Sequence, residues 1–330
     1  MAKLPLTMTF WDYDRTAALA DGTVKIEGCD ANYLKLDLLD IFFRAIRNQE
    51  FDVTEMSCSS YMMMLARGNP PYRAIPVFLS RMWRHSAIYI RTDRGIRAPA
   101  DLKGRQIGVP EYQVTAALVA RGMLADEYGV KASDVRWRTG GLEDPGRPEK
   151  VKLDLPKGIV VEPIPADKSL AGMLVAGEID GIITPLPPSC FINPTPNIGR
   201  LFPNYRELEK AYYKKTRFHP IMHVAAIRSS LVEQHPWLAG NVLAAFEKSK
   251  QLALQRLDNF GAAKATLPWV AAEVEETVAL MGKDYWPYGV EANRAALETM
   301  TRYSFEQGLT PRKLSVDELF PPSTYEQARH

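Results

Sequence analysis

The chain has 330 residues, a formal net charge of +2, 46% hydrophobic residues and 24% charged residues. This length predicts two domains rather than one core. The near-neutral charge and the lack of a long basic run exclude nucleic-acid binding driven by charge, and no apolar run is long enough to cross a bilayer.

The first part of the chain alternates between predicted strands and helices. Strands are predicted at 6–10, 51–56, 74–79 and 86–91, helices at 41–48 and 61–67, and a polar loop at 11–15. These segments carry apolar residues at strand or helix spacing and end at polar or glycine-containing junctions.

The alternation continues through the second part of the chain. Strands are predicted at 106–109, 135–138, 180–184 and 222–227, helices at 115–128, 169–176 and from 231 onward, a long surface excursion at 140–158 and an irregular loop at 185–197. Such alternation predicts an α/β fold with doubly wound, mostly parallel sheets. We expect residues 1–90 plus 222–330 to form one lobe with a C-terminal helical extension, and residues 91–221 to form the second lobe.

In open α/β sheets, ligands bind beyond the carboxyl ends of the strands. Polar residues that follow the predicted strands, or flank the predicted return from the second lobe to the first near residue 222, are therefore candidates for the site. They are Asp14, Arg15, Glu55, Ser57, Ser59, Ser60, Arg81, Arg84, His85, Glu111, Tyr112, Gln113, Thr115, Thr184, His219 and His223. Paired arginines and helix N-termini bind carboxylates, so the cleft between the lobes is expected to hold a small anion. Structural ion pairs and ordinary helix caps remain the alternative interpretation of these residues.

Two segments resemble the type 2 periplasmic binding proteins. One runs from Tyr89 to Pro110 and the other from Leu170 to Ile183. The resemblance implies two doubly wound lobes with a cleft between them.

Six shorter segments resemble the 4,5-dihydroxyphthalate decarboxylases: 13–16, 50–57, 75–81, 84–86, 108–113 and 220–223. The resemblance covers residues of about 8 to 250, and 216–219 departs from the pattern. It implies a cytoplasmic enzyme of phthalate breakdown that converts 4,5-dihydroxyphthalate to protocatechuate and carbon dioxide. Its partner would be a small aromatic dicarboxylate, not nucleic acid or a membrane.

Decarboxylation of an aromatic ring needs a proton donor at the ipso carbon, a polariser at the hydroxyl para to it, and anchors for both carboxylates. Histidine is the natural acid near neutral pH. We therefore assign His85 or His223 as the proton donor and Glu55 or Glu111 as the polariser. Arg81, Arg84 and the run from Ser57 to Ser60 would hold the carboxylates.

No cofactor is expected, because the chain contains no dinucleotide fingerprint or phosphate loop. A divalent metal bound by His85 and His223 is the alternative. Two other functions remain open: a protein that binds a small carboxylate without catalysis, and an enzyme of the same lineage with another substrate.

The cysteines and the N-terminal residues indicate the cellular compartment of the protein. Cys29, Cys58 and Cys190 are too few and too widely spaced for a disulfide framework or a zinc motif. Buried thiols suit a reducing compartment, and the N-terminal residues lack the apolar segment of a signal peptide. We expect a cytoplasmic protein that could form homo-oligomers through its C-terminal helices.

Overall fold

The computed structural model describes residues 2–325 of the chain. Residue 1 and residues 326–330, which include the end of the predicted extension, lie outside the described residues. Eleven strands occur in the described part: β1 (Leu4–Thr9), β2 (Cys29–Tyr33), β3 (Val53–Ser57), β4 (Tyr72–Arg81), β5 (Ile88–Arg91), β6 (Gln106–Val109), β7 (Arg136–Thr139), β8 (Val160–Pro163), β9 (Gly181–Ile183), β10 (Ile198–Arg200) and β11 (Ile221–Arg228).

Eleven α-helices accompany these strands in residues 2–325. They are α1 (Ala17–Ala20), α2 (Leu38–Asn48), α3 (Cys58–Ala66), α4 (Thr115–Tyr128), α5 (Leu170–Ala176), α6 (Ser189–Ile192), α7 (Tyr205–Thr216), α8 (Ser229–Gln234), α9 (Leu238–Leu257), α10 (Val270–Met281) and α11 (Arg294–Glu306). The fold is α/β, and short 3₁₀ turns make several of the connections.

The first lobe is built on a five-stranded sheet in the order β2-β1-β3-β11-β4. Strand β1 is parallel to β2 and β3, whereas β11 is antiparallel to both β3 and β4. All five residues of β3 are buried, as expected for a central strand that is covered on both faces. The first residues of β11 therefore lie at the same edge of the sheet as the last residues of β1 and β3.

The second lobe is built on a six-stranded sheet in the order β10-β5-β9-β6-β7-β8. Strands β6, β7, β8 and β9 are parallel, and β5 and β10 are antiparallel to their neighbours. Helix α4 follows β6 directly, so its N-terminus lies at the carboxyl edge of this sheet.

The boundary predicted at residue 90 falls inside β5. This strand pairs with β9 and β10, because its short apolar sequence completes the second sheet rather than the first. The chain therefore crosses between the lobes before Ile88 and returns before Ile221.

The C-terminal helical extension contacts both lobes. Helix α9 packs on β4 and on the loop after β1, and α11 packs on α4. A side chain at Gly122 of α4 would come within 2.2 Å of the Tyr303 ring of α11, so only glycine permits this close approach. Arg302 and Asp126 form an ion pair at 2.6 Å across the same contact. Among the described residues no helix has both the length and the apolarity that a membrane span requires.

Candidate active site

Glu55 and His223 form the central contact of the site. His223 Nδ1 lies 2.7 Å from Glu55 Oε1. In the pairing of β11 with β3, His223 lies opposite Ser57 and Ala225 lies opposite Glu55. Since residues two apart in a strand share a face, the pairing places both side chains on one face at the cleft edge of the sheet.

The Glu55 carboxylate receives two further hydrogen bonds. Tyr13 Oη donates to Oε1 at 2.6 Å, and the backbone N–H of Trp11 donates to Oε2 at 2.8 Å. Burial and the negative charge of Glu55 raise the pKa of Tyr13 well above its usual range, so the phenol stays protonated and donates. The fully buried Glu55 carboxylate therefore has three hydrogen-bond partners, Tyr13, Trp11 and His223.

This environment orients the His223 ring. Nδ1 faces the Glu55 carboxylate, and the Phe42 ring packs edge-on at 4.9 Å between centroids. The Nε2 atom therefore points away from Glu55, and the side chain keeps 16% exposure. The result is a histidine with a fixed ring and one available nitrogen, which is the arrangement of a general acid or base.

The other two predicted histidines lie in different surroundings. His85 is buried, with its ring 5.4 Å from both Phe202 and Tyr212 and its Nδ1 3.6 Å from Glu209 Oε1. His219 stacks on Trp83 at 4.4 Å, and burial followed by the nearby Arg81 charge holds its pKa well below the usual range. Neither ring contacts Glu55.

Arg81 and Arg84 are both buried but have different partners. Arg81 donates to the carbonyl oxygens of His219 and Pro287 at 3.0 and 2.9 Å and to the Asn293 amide oxygen. These contacts fix the guanidinium within the protein.

Among the described residues the Arg84 guanidinium forms hydrogen bonds only to sulfur. Its Nε lies 3.3 Å from Met222 Sδ, and its Nη1 lies 3.4 Å from Met82 Sδ. Burial lowers the pKa of Arg84 to about 10, with the Glu209 charge opposing the shift, so the group is still cationic at neutral pH. A buried cation with thioether contacts alone lacks the oxygen acceptors that normally offset its loss of hydration.

The two lobes meet at the N-termini of α3 and α4. Ser57 Oγ and Thr115 Oγ1 are 2.8 Å apart, and the backbone N–H of Ser59 donates to Thr115 Oγ1 at 3.1 Å. The Ser59 hydroxyl is fully buried and has no hydrogen-bond partner among the described residues. An unpaired buried hydroxyl in the first turn of a helix marks a place where a polar ligand group fits.

Gln113 extends this contact into the excursion between β7 and β8. Its amide nitrogen donates to Ser60 Oγ at 3.1 Å, and its amide oxygen accepts from the N–H groups of Lys150 and Val151 at 2.8 and 2.7 Å. The predicted surface excursion, residues 140–158, is therefore tied to both lobes. We call it the strap.

Glu111 lies in a second charged cluster, formed with the strap. Arg147 donates to its Oε1 through Nε at 2.9 Å and Nη2 at 2.6 Å, and the Lys150 ammonium donates to the same oxygen. Both Glu111 and the Lys150 side chain are buried. The hydrogen-bond partners of Glu111 are different residues from those of Glu55, so the two predicted carboxylates occupy different clusters.

The Glu149 carboxyl group accepts hydrogen bonds from backbone N–H groups of the loop that precedes α4. It accepts from the N–H groups of Tyr112 at 2.5 Å and Gln113 at 3.5 Å. Burial, assisted by the charge of Glu111, raises the pKa of Glu149 to about 7 although the two N–H donors oppose the shift. The carboxyl group is therefore only partly ionised near neutral pH.

The remaining predicted residues have local partners. Asp14 is exposed and pairs with Arg15, whose guanidinium stacks over the Tyr13 and Trp286 rings and donates to the Leu79 carbonyl. Tyr112 is buried under Arg121 and donates to the Gln307 carbonyl at 3.2 Å. Thr184 follows β9 directly, and its N–H donates to the Ala87 carbonyl at 3.0 Å.

Three residues close to these clusters were not assigned from the sequence. Tyr13 follows β1 directly, so the strand-end rule that selected Asp14 also applies to it. Glu149 and Lys150 belong to an excursion without periodicity, and no local pattern distinguishes them from surface charges. Their burial depends on contacts with residues far away in the sequence.

The described residues contain no group of three or more His, Cys, Asp or Glu side chains arranged to hold a metal ion. His85 and His223, the pair considered from the sequence, have separate surroundings. His223 directs Nδ1 toward a carboxylate, as many metal-bound histidines do.

Comparison with solved structures identifies the class of fold. The chain aligns over 98% of its length with the periplasmic aliphatic sulphonate binding protein SsuA of Escherichia coli, covering 99% of that chain, with a TM-score of 0.53 and 14% identity. The fold is therefore of the periplasmic-binding-protein type. No family model matches the sequence.

Two curated relatives are much more similar in sequence. A 4,5-dihydroxyphthalate decarboxylase of Comamonas testosteroni is 44% identical over 326 residues, which is 99% of both chains. A 4,5-dihydroxyphthalate decarboxylase of Pseudomonas putida is 46% identical over 214 residues, covering 65% of this chain and 83% of the relative. The chain belongs to the 4,5-dihydroxyphthalate decarboxylase family, and the resemblance found in the sequence is confirmed.

Proposed function

We propose that this chain is a carboxy-lyase that converts 4,5-dihydroxyphthalate to protocatechuate and carbon dioxide. The Glu55–His223 pair carries this proposal, because it supplies an oriented acid at the cleft edge of a fold that otherwise serves for binding. Membership of the family supplies the substrate.

In the proposed reaction His223 protonates the ring. The Nε2–H proton moves to the ipso carbon, and the positive charge that develops delocalises onto the hydroxyl oxygen para to that carbon. The C–C bond to the carboxylate then breaks, its electron pair restores the aromatic ring, and carbon dioxide leaves. One proton is gained for each carbon dioxide lost, so the neutral imidazole is reprotonated from solvent before the next turnover.

Glu55 is assigned as a positioning residue. Its carboxylate faces His223 Nδ1 and is also occupied by Tyr13 and Trp11, so it stabilises the imidazolium and fixes the ring. This is the role of the buried carboxylate behind a catalytic histidine.

Arg84 and the N-terminus of α3 are proposed as carboxylate anchors. Arg84 is cationic and buried, and its side-chain hydrogen bonds among the described residues go only to thioethers, while Ser59 offers an unpaired hydroxyl. A substrate carboxylate would give Arg84 an oxygen acceptor and would give the Ser59 hydroxyl a hydrogen-bond partner. His85, Glu111 and Arg81 lie in clusters with partners of their own, and we assign them to the framework of the cleft.

The proposed reaction uses no metal or organic cofactor. In its support, the chemistry needs a proton and an electron-rich ring, and His223 supplies the proton. The catechol itself delocalises the charge.

The deciding experiment is incubation of purified protein with 4,5-dihydroxyphthalate while carbon dioxide and protocatechuate are measured. We expect both products in equal amounts. Tight binding of the substrate without either product would overturn the proposal and favour a protein that only binds small aromatic carboxylates.

A cytoplasmic location is part of the proposal. Cys29, Cys58 and Cys190 are all free and buried, which suits a reducing compartment. Fractionation of the producing cells tests it, with recovery in the periplasmic fraction as the contrary result.

We also propose that the chain forms homo-oligomers through the start of α10. Trp269 is 73% exposed and Leu267 is 49% exposed there, and adjacent exposed apolar side chains favour an interface. Light scattering should give a multiple of the chain mass, and Trp269→Glu should reduce that multiple. A single-chain mass for the unaltered protein would contradict this.

A further inference from the structure

The strap, residues 140–158, makes further contacts between the two lobes besides the two chain crossings. It leaves the second lobe after β7, yet Arg67 at the end of α3 donates to the Lys152 carbonyl. Pro156 packs against Gly308, where a Cβ would lie within 2.3 Å of its ring. The strap therefore spans from the second lobe to the first lobe and the C-terminal extension.

Lys150 is the strap residue that reaches α2. Its Nζ lies 5.0 Å from the centre of the Phe43 ring, and its side chain is only 3% exposed. The preceding residue of α2, Phe42, packs against His223 at 4.9 Å. One turn of α2 thus contacts both the Lys150 ammonium and the proposed proton donor.

In the cluster around Lys150 there are two cations, Arg147 and Lys150, for the carboxylate of Glu111. Arg147 already donates to Glu111 Oε1 through both Nε and Nη2, so the carboxylate has one arginine counter-charge before Lys150 is counted. Lys150 is a second cation on the same anion. The next carboxyl group, Glu149, has a pKa raised to about 7 by burial and binds backbone N–H groups instead. An ammonium has three donors, so Lys150 can contact Glu111 and a second carboxylate together.

We infer that Lys150 binds the carboxylate that remains on the ring, and so makes the cleft selective for ortho-dicarboxylates over monocarboxylates. The inference rests on the proposed function, because it concerns the same cleft and substrate. Glu111 acts as a positioning residue that holds the ammonium beside Phe43. A site built around a buried cation discriminates strongly against an analogue that lacks the matching charge.

Equilibrium binding of two unreactive probes tests this without any turnover. Phthalate carries both carboxylates and no hydroxyl group, and benzoate carries one carboxylate. We expect the unaltered protein to bind phthalate more tightly than benzoate. Lys150→Met should weaken phthalate binding about tenfold and change benzoate binding less than twofold.

The strap offers a matched control in Lys152, whose side chain is exposed two residues away. Lys152→Met removes the same charge and should leave both affinities unchanged. The double variant Lys150→Met/Glu111→Gln removes both charges of the Lys150–Glu111 ion pair, and should repeat the selective loss of phthalate binding if Lys150→Met alone folds poorly.

Equal weakening of both probes in these variants, or no weakening, would overturn the inference. So would an unaltered protein that binds phthalate no better than benzoate. Because both probes report binding alone, these results are distinct from a failure to release carbon dioxide, which would overturn the proposed reaction.

Discussion

His223 Nδ1 and Glu55 Oε1 are 2.7 Å apart, and the contact links two strands that are far apart in the sequence. The register of β3 with β11 places both side chains on one face, so the pair forms as soon as the sheet forms. A histidine held in this way can deliver a proton in a defined direction.

The first prediction concerns this histidine. His223→Ala should lower kcat by 100-fold or more, because general acids contribute about 10²–10⁴ to such rates. Steady-state assays with 4,5-dihydroxyphthalate measure the change, and His235→Ala at the end of α8 is the control. A rate within tenfold of the unaltered protein would remove His223 from the mechanism.

His85→Ala separates the two histidine candidates. His85 packs between Phe202 and Tyr212, so we expect a loss of about 1–3 kcal/mol in the free energy of unfolding and less than a tenfold loss in kcat of the folded protein. A 100-fold loss of kcat with unchanged stability would instead make His85 the proton donor.

Arg84 and Arg81 should respond in opposite ways to the same substitution. Arg84→Met removes a buried cation without oxygen partners, so we expect the free energy of unfolding to rise by about 1–3 kcal/mol while kcat/KM falls at least 100-fold. Arg81→Met removes donors to three acceptors and should lower stability by about 3 kcal/mol. Denaturant titration of both variants measures the contrast, and destabilisation by Arg84→Met would show that Arg84 is structural.

Glu149 gives the protein a defined pH dependence. Its pKa is raised to about 7 in the folded protein from about 4.3 in an unfolded chain. The folded state therefore binds this proton more tightly, and the stabilisation present below about pH 4 is lost as the pH rises through 7.

Glu149→Gln should remove this decrease in the free energy of unfolding with rising pH. Its amide oxygen can still accept from Tyr112 and Gln113, so between pH 5 and pH 8 the variant should gain about 1–3 kcal/mol relative to the unaltered protein. Unfolding titrations at the two pH values measure the gain, and Asp154→Asn, at an exposed strap position, is the control. A constant difference at both pH values would contradict the assignment.

Treatment with a strong chelator followed by gel filtration should leave kcat unchanged, because the proposed proton transfer uses His223 alone. Complete loss of activity, restored by one divalent ion, would require a metal in the mechanism.

The alternation of elements was sufficient to predict two α/β lobes, because apolar periodicity is a local property of the sequence. The strand-end rule selected Glu55 and His223 individually, but their pairing depends on the register between β3 and β11. No single-sequence pattern encodes that register. The same limit explains why Arg81 and Arg84, three residues apart, could not be distinguished: their acceptors come from Pro287, Asn293 and the two methionines.

The strap was the least predictable part. Its glycines, prolines and charges are typical of a surface loop, and most of its side chains are exposed. Lys150 is buried only because Glu111, Phe43 and Gln113 arrive from three different elements. Similarly, α7 was not assigned, since its strongly polar sequence gives a weak helical signal.

The contact between Ser57 and Thr115 joins the lobes through two neutral hydroxyl groups. Such a bond contributes only about 1 kcal/mol, so thermal motion breaks it easily. Charged groups that the substrate engages would add to this contact and to the contacts of the strap. The product carries one carboxylate fewer than the substrate, so it would bind these charged groups less strongly. Loss of carbon dioxide would thereby also favour release of the product.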